Sequence, residues 1–248
     1  MPVLLIRNDG LVKSVQFKKH KYVGDPINAV KIFNEKEVDE IIILDIDASA
    51  KKEAPNFKLV EKICGESFMP LAYGGGVKTL EDAQKLLYNG AEKIVLNTSL
   101  LEQPKVIESI AKQFGNQSVV ASIDYRTSLF GKPKVYGFNG SKKTKWTALE
   151  LAKKAADYGA GEIMLNAIDR DGTYKGYDLE TLKTVSSSVD VPVIACGGAS
   201  GLEDFEEAIK HGAGAVAAGS MFVFQRPHQA VLISYPNSVE LNKLNEKL

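Results

Sequence analysis

The chain is poor in the residues that mark several function classes. It has only two cysteines in 248 residues. Cys64 sits in an amphipathic helical stretch and Cys196 ends an apolar run, so no disulfide framework of an extracellular domain is implied. Its three histidines, His20, His211 and His228, have no ligand spacing, which argues against a dedicated metal site. His211 reads as a helix-terminus residue and the other two as solvent-facing. Neither sign of charge is in excess: 31 basic and 31 acidic residues cancel, so there is no global pull toward nucleic acid or an anionic membrane. The single Trp146, beside Lys143 and Lys145, lacks the basic stripe of a nucleic-acid platform and reads as an outer loop or helix entrance. Lys18-Lys19-His20-Lys21 reads mostly as a solvated loop, from which His20 and Tyr22 reach substrate if it closes. No apolar run approaches a membrane span, and the N-terminal segment is too short and polar-interrupted for a signal peptide, so the expected location is the cytoplasm. No Gly-x-Ser-x-Gly elbow follows a strand and no Gly-x-Gly-x-x-Gly follows the first one.

What the chain does have is a repeat. Gly74-Gly75-Gly76 and Gly197-Gly198 each end a short apolar run, and each is followed about 22 residues later by a small polar pair, Asn97-Thr98 and Gly219-Ser220. Short apolar runs without strict alternation fit strands covered on both faces. Eight are expected, near residues 3–7, 41–46, 70–73, 93–96, 118–124, 161–167, 192–195 and 214–218. Between them, 80–88, 104–114, 148–158, 179–185 and 202–211 carry helical apolar spacing. Thr79 before Leu80-Glu81-Asp82 reads as a cap, and Asn89-Gly90, Tyr158-Gly159 and His211-Gly212 as left-handed exits. Eight strand and helix units in one 248-residue domain predict an α/β fold of the (β/α)8 TIM-barrel type. The internal duplication divides it into half-barrels of about 1–117 and 118–248.

At the C-terminal mouth of such a barrel, glycine backbones and helix starts hold phosphoryl oxygens. The duplicated spacing therefore predicts two anion sites on opposite sides of the mouth, whereas the plainer reading is that the glycines only permit close packing. Three acids fall at strand ends on that face. Asp124 suits general acid/base work because partial burial moves a carboxyl toward neutral pH. Asp45 and Asp171 either orient substrate hydroxyls or order the loops.

Together Gly24-Asp25-Pro26, Leu44-Asp45-Ile46-Asp47-Ala48-Ser49, Gly74-Gly75-Gly76-Val77, Asn97-Thr98 and Ile168-Asp169-Arg170-Asp171-Gly172-Thr173 form a specific set. From Pro2 to about Phe224 the chain resembles the cyclase subunits of imidazole glycerol phosphate synthase. That resemblance implies a glutaminase partner, in a heterodimer, whose ammonia crosses the barrel to a bis-phosphorylated ribulosyl aminoimidazole carboxamide. It implies no cofactor. It assigns one phosphate to Gly75, Gly76, Asn97 and Thr98 and the other to Gly197, Gly198, Gly219 and Ser220. Asp124 matches one of two catalytic aspartates, Asp171 a substrate-orienting acid and Lys13 a lysine beside the active-site loop. Glu40, Lys93 and Glu162 match an ammonia gate on the opposite face, whose arginine would fall before Met1. Leu5 stands where the second catalytic aspartate belongs, and leucine transfers no proton, so Arg7, Asn8 or Asp9 would have to compensate. Two further readings stay open: ammonia use in amidating a surface-polysaccharide sugar, and a noncatalytic phosphate-binding scaffold. The related histidine-pathway isomerase also needs an acid and a base, so Leu5 opposes it.

Overall fold

The computed structural model describes residues 1–128 and 131–248. Eight parallel strands form its centre: β1 Val3–Arg7, β2 Ile41–Asp45, β3 Leu71–Gly74, β4 Lys93–Leu96, β5 Val119–Ser128, β6 Glu162–Ala167, β7 Val193–Cys196 and β8 Ala215–Ala217. Each pairs with its sequence neighbour, for example Leu5 with Leu44 and Asn166 with Asp124. A parallel bridge between Pro2 and Ala218 closes the ring, with Val3 N–H donating to Ala218 O at 2.9 Å. This is a (β/α)8 barrel, and all eight expected strands are present.

Side-chain alternation divides the strands into two shells. Ile41 and Ile43 face the surrounding helices, whereas Ile42, Ala72, Val95, Val120, Met164, Ile194 and Ala217 pack into a separate apolar cluster inside the barrel. The helices bury one face against the strands, as Ile107, Ile110 and Ala111 do in Lys105–Phe114. Their ends follow local chemistry. Thr79 accepts from Asp82 N–H while the Asp82 carboxylate accepts from Thr79 N–H, closing a capping box. Gly90, Gly159 and Gly212 take positive φ just past helix ends.

Two antiparallel ribbons project from the C-terminal side, and neither is expected from the sequence. Gly10–Val15 pairs with β1 and with Lys18–Gly24, so the Lys18 to Lys21 segment is strand rather than loop. Gly131–Gly137 pairs with β5 and with Lys142–Thr147, which places Lys143, Lys145 and Trp146 on a strand. Trp146 packs partly buried against the outer core. Because β5 continues into this ribbon, Asp124 lies within the strand rather than after it. Among the described residues, no helix is long and apolar enough to cross a membrane.

Candidate active site

The C-terminal ends of the strands enclose a cavity that opens to solvent. Gly75, Gly76, Asn97, Thr98, Lys13, Asp45, Asp124, Asp171 and Leu5 all line it. So do Phe17 and His20 of the first ribbon and Asn139 of the second. Position in the barrel explains the list: the inward parity that puts Val120 in the core puts Ser122 and then Asp124 higher on the same strand.

Asp124 is 9% exposed and its carboxylate is held by two side-chain amides. Asn166 Nδ2 donates to Oδ1 at 3.1 Å and Asn97 Nδ2 to Oδ2 at 3.2 Å. Burial pushes its pKa up to about 7, the Asn166 hydrogen bond opposes the rise, and the charge of Asp171 adds to it. Asp171 is pushed up to about 6 by burial, against the pull of Lys13 and Ser14. Lys13, also buried, falls to about 8 while Asp171 works to raise it. Its Nζ donates to Val3 O and lies where a methyl on Gly219 would approach within 2.6 Å. A carboxyl near neutrality in a mouth that also holds a buried lysine is suited to exchanging a proton with a bound ligand.

The pH sign follows from the direction of the Asp124 shift. A folded pKa above the unfolded value favours the protonated acid, so that stabilisation is full below about pH 4 and is lost as pH rises through about 7. Asp124→Asn, neutral throughout, is expected to melt at least about 3 °C above the parent at about pH 8, with the gap closing toward about pH 4. Thermal unfolding followed by circular dichroism across that range checks it.

The other expected residues separate. Asp45 accepts from the N–H groups of Asp47 and Ala48 at 3.0 and 3.1 Å, which is the loop-ordering arrangement. Gly219 lines the cavity, but Gly197, Gly198 and Ser220 do not. Loop 172–177 covers the second cluster: Gly176 N–H donates to Gly198 O at 2.9 Å, and a methyl on Gly198 would lie 2.3 Å from Gly176 O. Short helices do start beside both polar pairs, Thr98–Glu102 and Ser220–Val223.

Arg7, Asn8 and Asp9, which the resemblance offers in place of an aspartate at Leu5, do not line the cavity. Asn8 and Asp9, with φ of 48° and 61°, form the two-residue turn between β1 and Gly10–Val15. Asn8 Oδ1 accepts from Lys51 Nζ and Asp9 Oδ1 from Asn56 Nδ2, each at 3.0 Å, while Arg7 Nε lies 3.4 Å from Asp47 Oδ1.

At the opposite end of the barrel, Lys93 Nζ is 2.9 Å from Glu40 Oε2 and 2.9 Å from Glu162 Oε1. Burial opposes the Lys93 charge, but the two carboxylates hold its pKa above the ordinary lysine value. Glu40, Lys93 and Glu162 share the inward parity of Ile42, Val95 and Met164, so the apolar interior lies between this ion cluster and the mouth. Among the described residues, no group of His, Cys, Asp or Glu is arranged to hold a metal ion.

Sequence reasoning passes over Asn166 and Cys196 as site residues, although both line the mouth. Counting inward parity from Glu162 through Met164 reaches Asn166, and from Ile194 reaches Cys196. The Cys196 thiol is pushed up to about 12 by burial and stays neutral.

A family model described as histidine biosynthesis protein matches residues 1–227. The chain is 51% identical over 246 residues to a Pseudomonas aeruginosa protein provisionally named imidazole glycerol phosphate synthase subunit hisF2, covering 99% of this chain and 97% of the relative. It is 49% identical to a provisionally named HisF subunit of Leptospira interrogans, over 96% of this chain and 94% of that one. The imidazole glycerol phosphate synthase subunit HisF of Alkaliphilus metalliredigens is 41% identical, over 90% of this chain and 88% of the relative.

Proposed function

The chain belongs to the histidine biosynthesis family, among the cyclase subunits of imidazole glycerol phosphate synthase, and from that premise we propose that it is the ammonia-using barrel of a glutaminase-coupled enzyme with altered carbon–nitrogen chemistry. The observation that carries the alteration is Leu5. It lines the mouth that Asp124 also lines, while Arg7, Asn8 and Asp9 are held by other partners. One proton-transfer acid is therefore present and its counterpart is a hydrocarbon.

Ammonia enters, in this reading, through the ion cluster of Glu40, Lys93 and Glu162 and crosses an interior whose apolar walls offer no hydrogen bond to delay it. Gly75, Gly76, Asn97 and Thr98 hold one phosphate of a phosphorylated substrate by backbone and side-chain donors. Gly197, Gly198, Gly219 and Ser220 hold the other once loop 172–177 moves aside, with Lys13 beside them as the cation. The two half-barrels, about 1–117 and 118–248, supply one phosphate site each. Asp171 orients the reacting segment, and Asp124 takes or gives the proton. Amidation of a surface-polysaccharide sugar is the alternative to the ordinary cyclase reaction. A noncatalytic scaffold is disfavoured by Asp124 itself, because a buried carboxyl shifted toward neutrality is a costly feature for a protein without chemistry to perform.

The partner test is direct. A separately encoded glutaminase is expected to copurify with it, and adding the barrel should raise the rate of glutamine hydrolysis. Lys93→Met, which removes both ion pairs, should cut that stimulation while the barrel keeps its fold. No binding and no stimulation with any plausible glutaminase contradicts the reading.

A further inference from the structure

Asn166 has an acceptor that no described residue uses. Three buried side-chain polar atoms lack a hydrogen-bond partner among the described residues, Asn166 Oδ1, Tyr174 Oη and Asp178 Oδ2, and of these only Asn166 lines the mouth. Its side chain is 7% exposed, its Nδ2 is committed to Asp124, and Oδ1 is left bare. Buried acceptors are nearly always satisfied, so a bare one at a mouth is open to a small donor such as ammonia or water. Gly197 preserves the space, because a methyl there would lie 3.0 Å from Oδ1.

The position along β6 adds a second constraint. Glu162, Met164 and Asn166 follow one another on the inward face, about 13 Å from first to last at the usual strand rise. Glu162 belongs to the ion cluster at the far end, and Met164 is wholly buried in the apolar interior. Val95 and Val120, on β4 and β5, belong to the same apolar cluster. A polar molecule leaving that cluster on the β6 side meets Asn166, whose amide already holds Asp124.

We infer that Asn166 Oδ1 is the docking acceptor for ammonia where it emerges from the barrel interior. This rests on the ammonia-using reading above and adds the residue that receives the molecule. Accepting one N–H leaves the ammonia lone pair free to face the substrate. The same side chain fixes the Asp124 carboxylate beside it through Nδ2, so ammonia and proton acceptor are positioned by one amide. A hydrocarbon there would do neither.

The test needs no substrate. The full chain, labelled with nitrogen-15, is titrated with ammonium chloride at about pH 9 and at about pH 7 while the Asn166 side-chain amide resonances are followed. Sodium chloride at matched ionic strength is the control. The expected result is a saturable shift that tracks free ammonia, half-complete on the order of 0.1 M, the ceiling for a ligand of one heavy atom. It should be confined to the Asn166 and neighbouring Asn97 amides, and Asn166→Leu should abolish the Asn97 response. A shift reproduced by sodium chloride, or no shift, overturns the dock. So does a shift that follows total ammonium rather than free ammonia at the two pH values, which would identify a cation site at Asp124 instead. Glutaminase coupling is read at the opposite face. A saturable ammonia shift without coupling removes the partner reading and keeps the dock, whereas coupling without the shift removes only the dock.

Discussion

Leu5→Asp is expected to raise ammonium-dependent turnover of the bis-phosphorylated ribulosyl aminoimidazole carboxamide by about 10²- to 10⁴-fold, the usual contribution of one positioned acid or base. Leu5 pairs with Leu44 and Val12 and directs its side chain toward the cavity, so an aspartate there faces the ligand without a change of register. The site is half-buried and opens onto solvent, which moderates the cost of a new carboxylate. Leu5→Asn, of the same shape but unable to transfer a proton at neutral pH, is the control and should stay inactive. Equal gains in both variants would make the effect one of polarity or space.

Gly75→Ala is expected to destabilise the chain by at least about 3 kcal/mol, in the upper range for single substitutions, and to lower the melting temperature by roughly 6–12 °C. Its φ is +120°, and a methyl would stand 2.3 Å from Asp45 O and 2.7 Å from Asp45 Cβ. The contact is with backbone at the end of β2 and has no soft side chain to displace. Gly65→Ala is the counterweight. Gly65 lies in the helix Phe57–Glu66 with nothing within 4 Å of the added methyl. That change should leave stability unchanged or raise it by up to about 1 kcal/mol. Chemical denaturation of the two variants beside the parent reads both. The contrast gives the plainer interpretation of the glycine clusters its share: Gly75 and Gly198 are required by close backbone approach, whatever ligand they hold.

The barrel was legible because its strands are short apolar runs closed by glycine and its helices carry their own caps, as Thr79 and Gly90 do. Asp124 was legible because it closes an apolar strand run, whereas the Glu40, Lys93 and Glu162 cluster was legible only through the family resemblance, since nothing local joins three residues of separate strands. The ribbons were not. Lys18 to Tyr22 are all exposed, so no alternation of burial marks them as strand. Their turn is Gln16-Phe17, with φ of 54° and 62°, a left-handed pair normally built from asparagine and glycine. Tertiary bonds hold it instead: Gln16 N–H donates to Asp171 O at 2.9 Å and Gln16 Nε2 to Asp169 O at 2.7 Å. Likewise, nothing local announces that loop 172–177 folds over Gly198, because the closing contact is made between backbones distant in sequence.

We propose that the mouth keeps its ligand-binding form while Leu5 has removed the ordinary cyclisation. One measurement on the unaltered chain tests it: the bis-phosphorylated ribulosyl substrate is added with saturating ammonium, and binding and product formation are followed in the same samples. The account predicts saturable binding with no imidazole product above background. Robust product formation by the unaltered chain would contradict it.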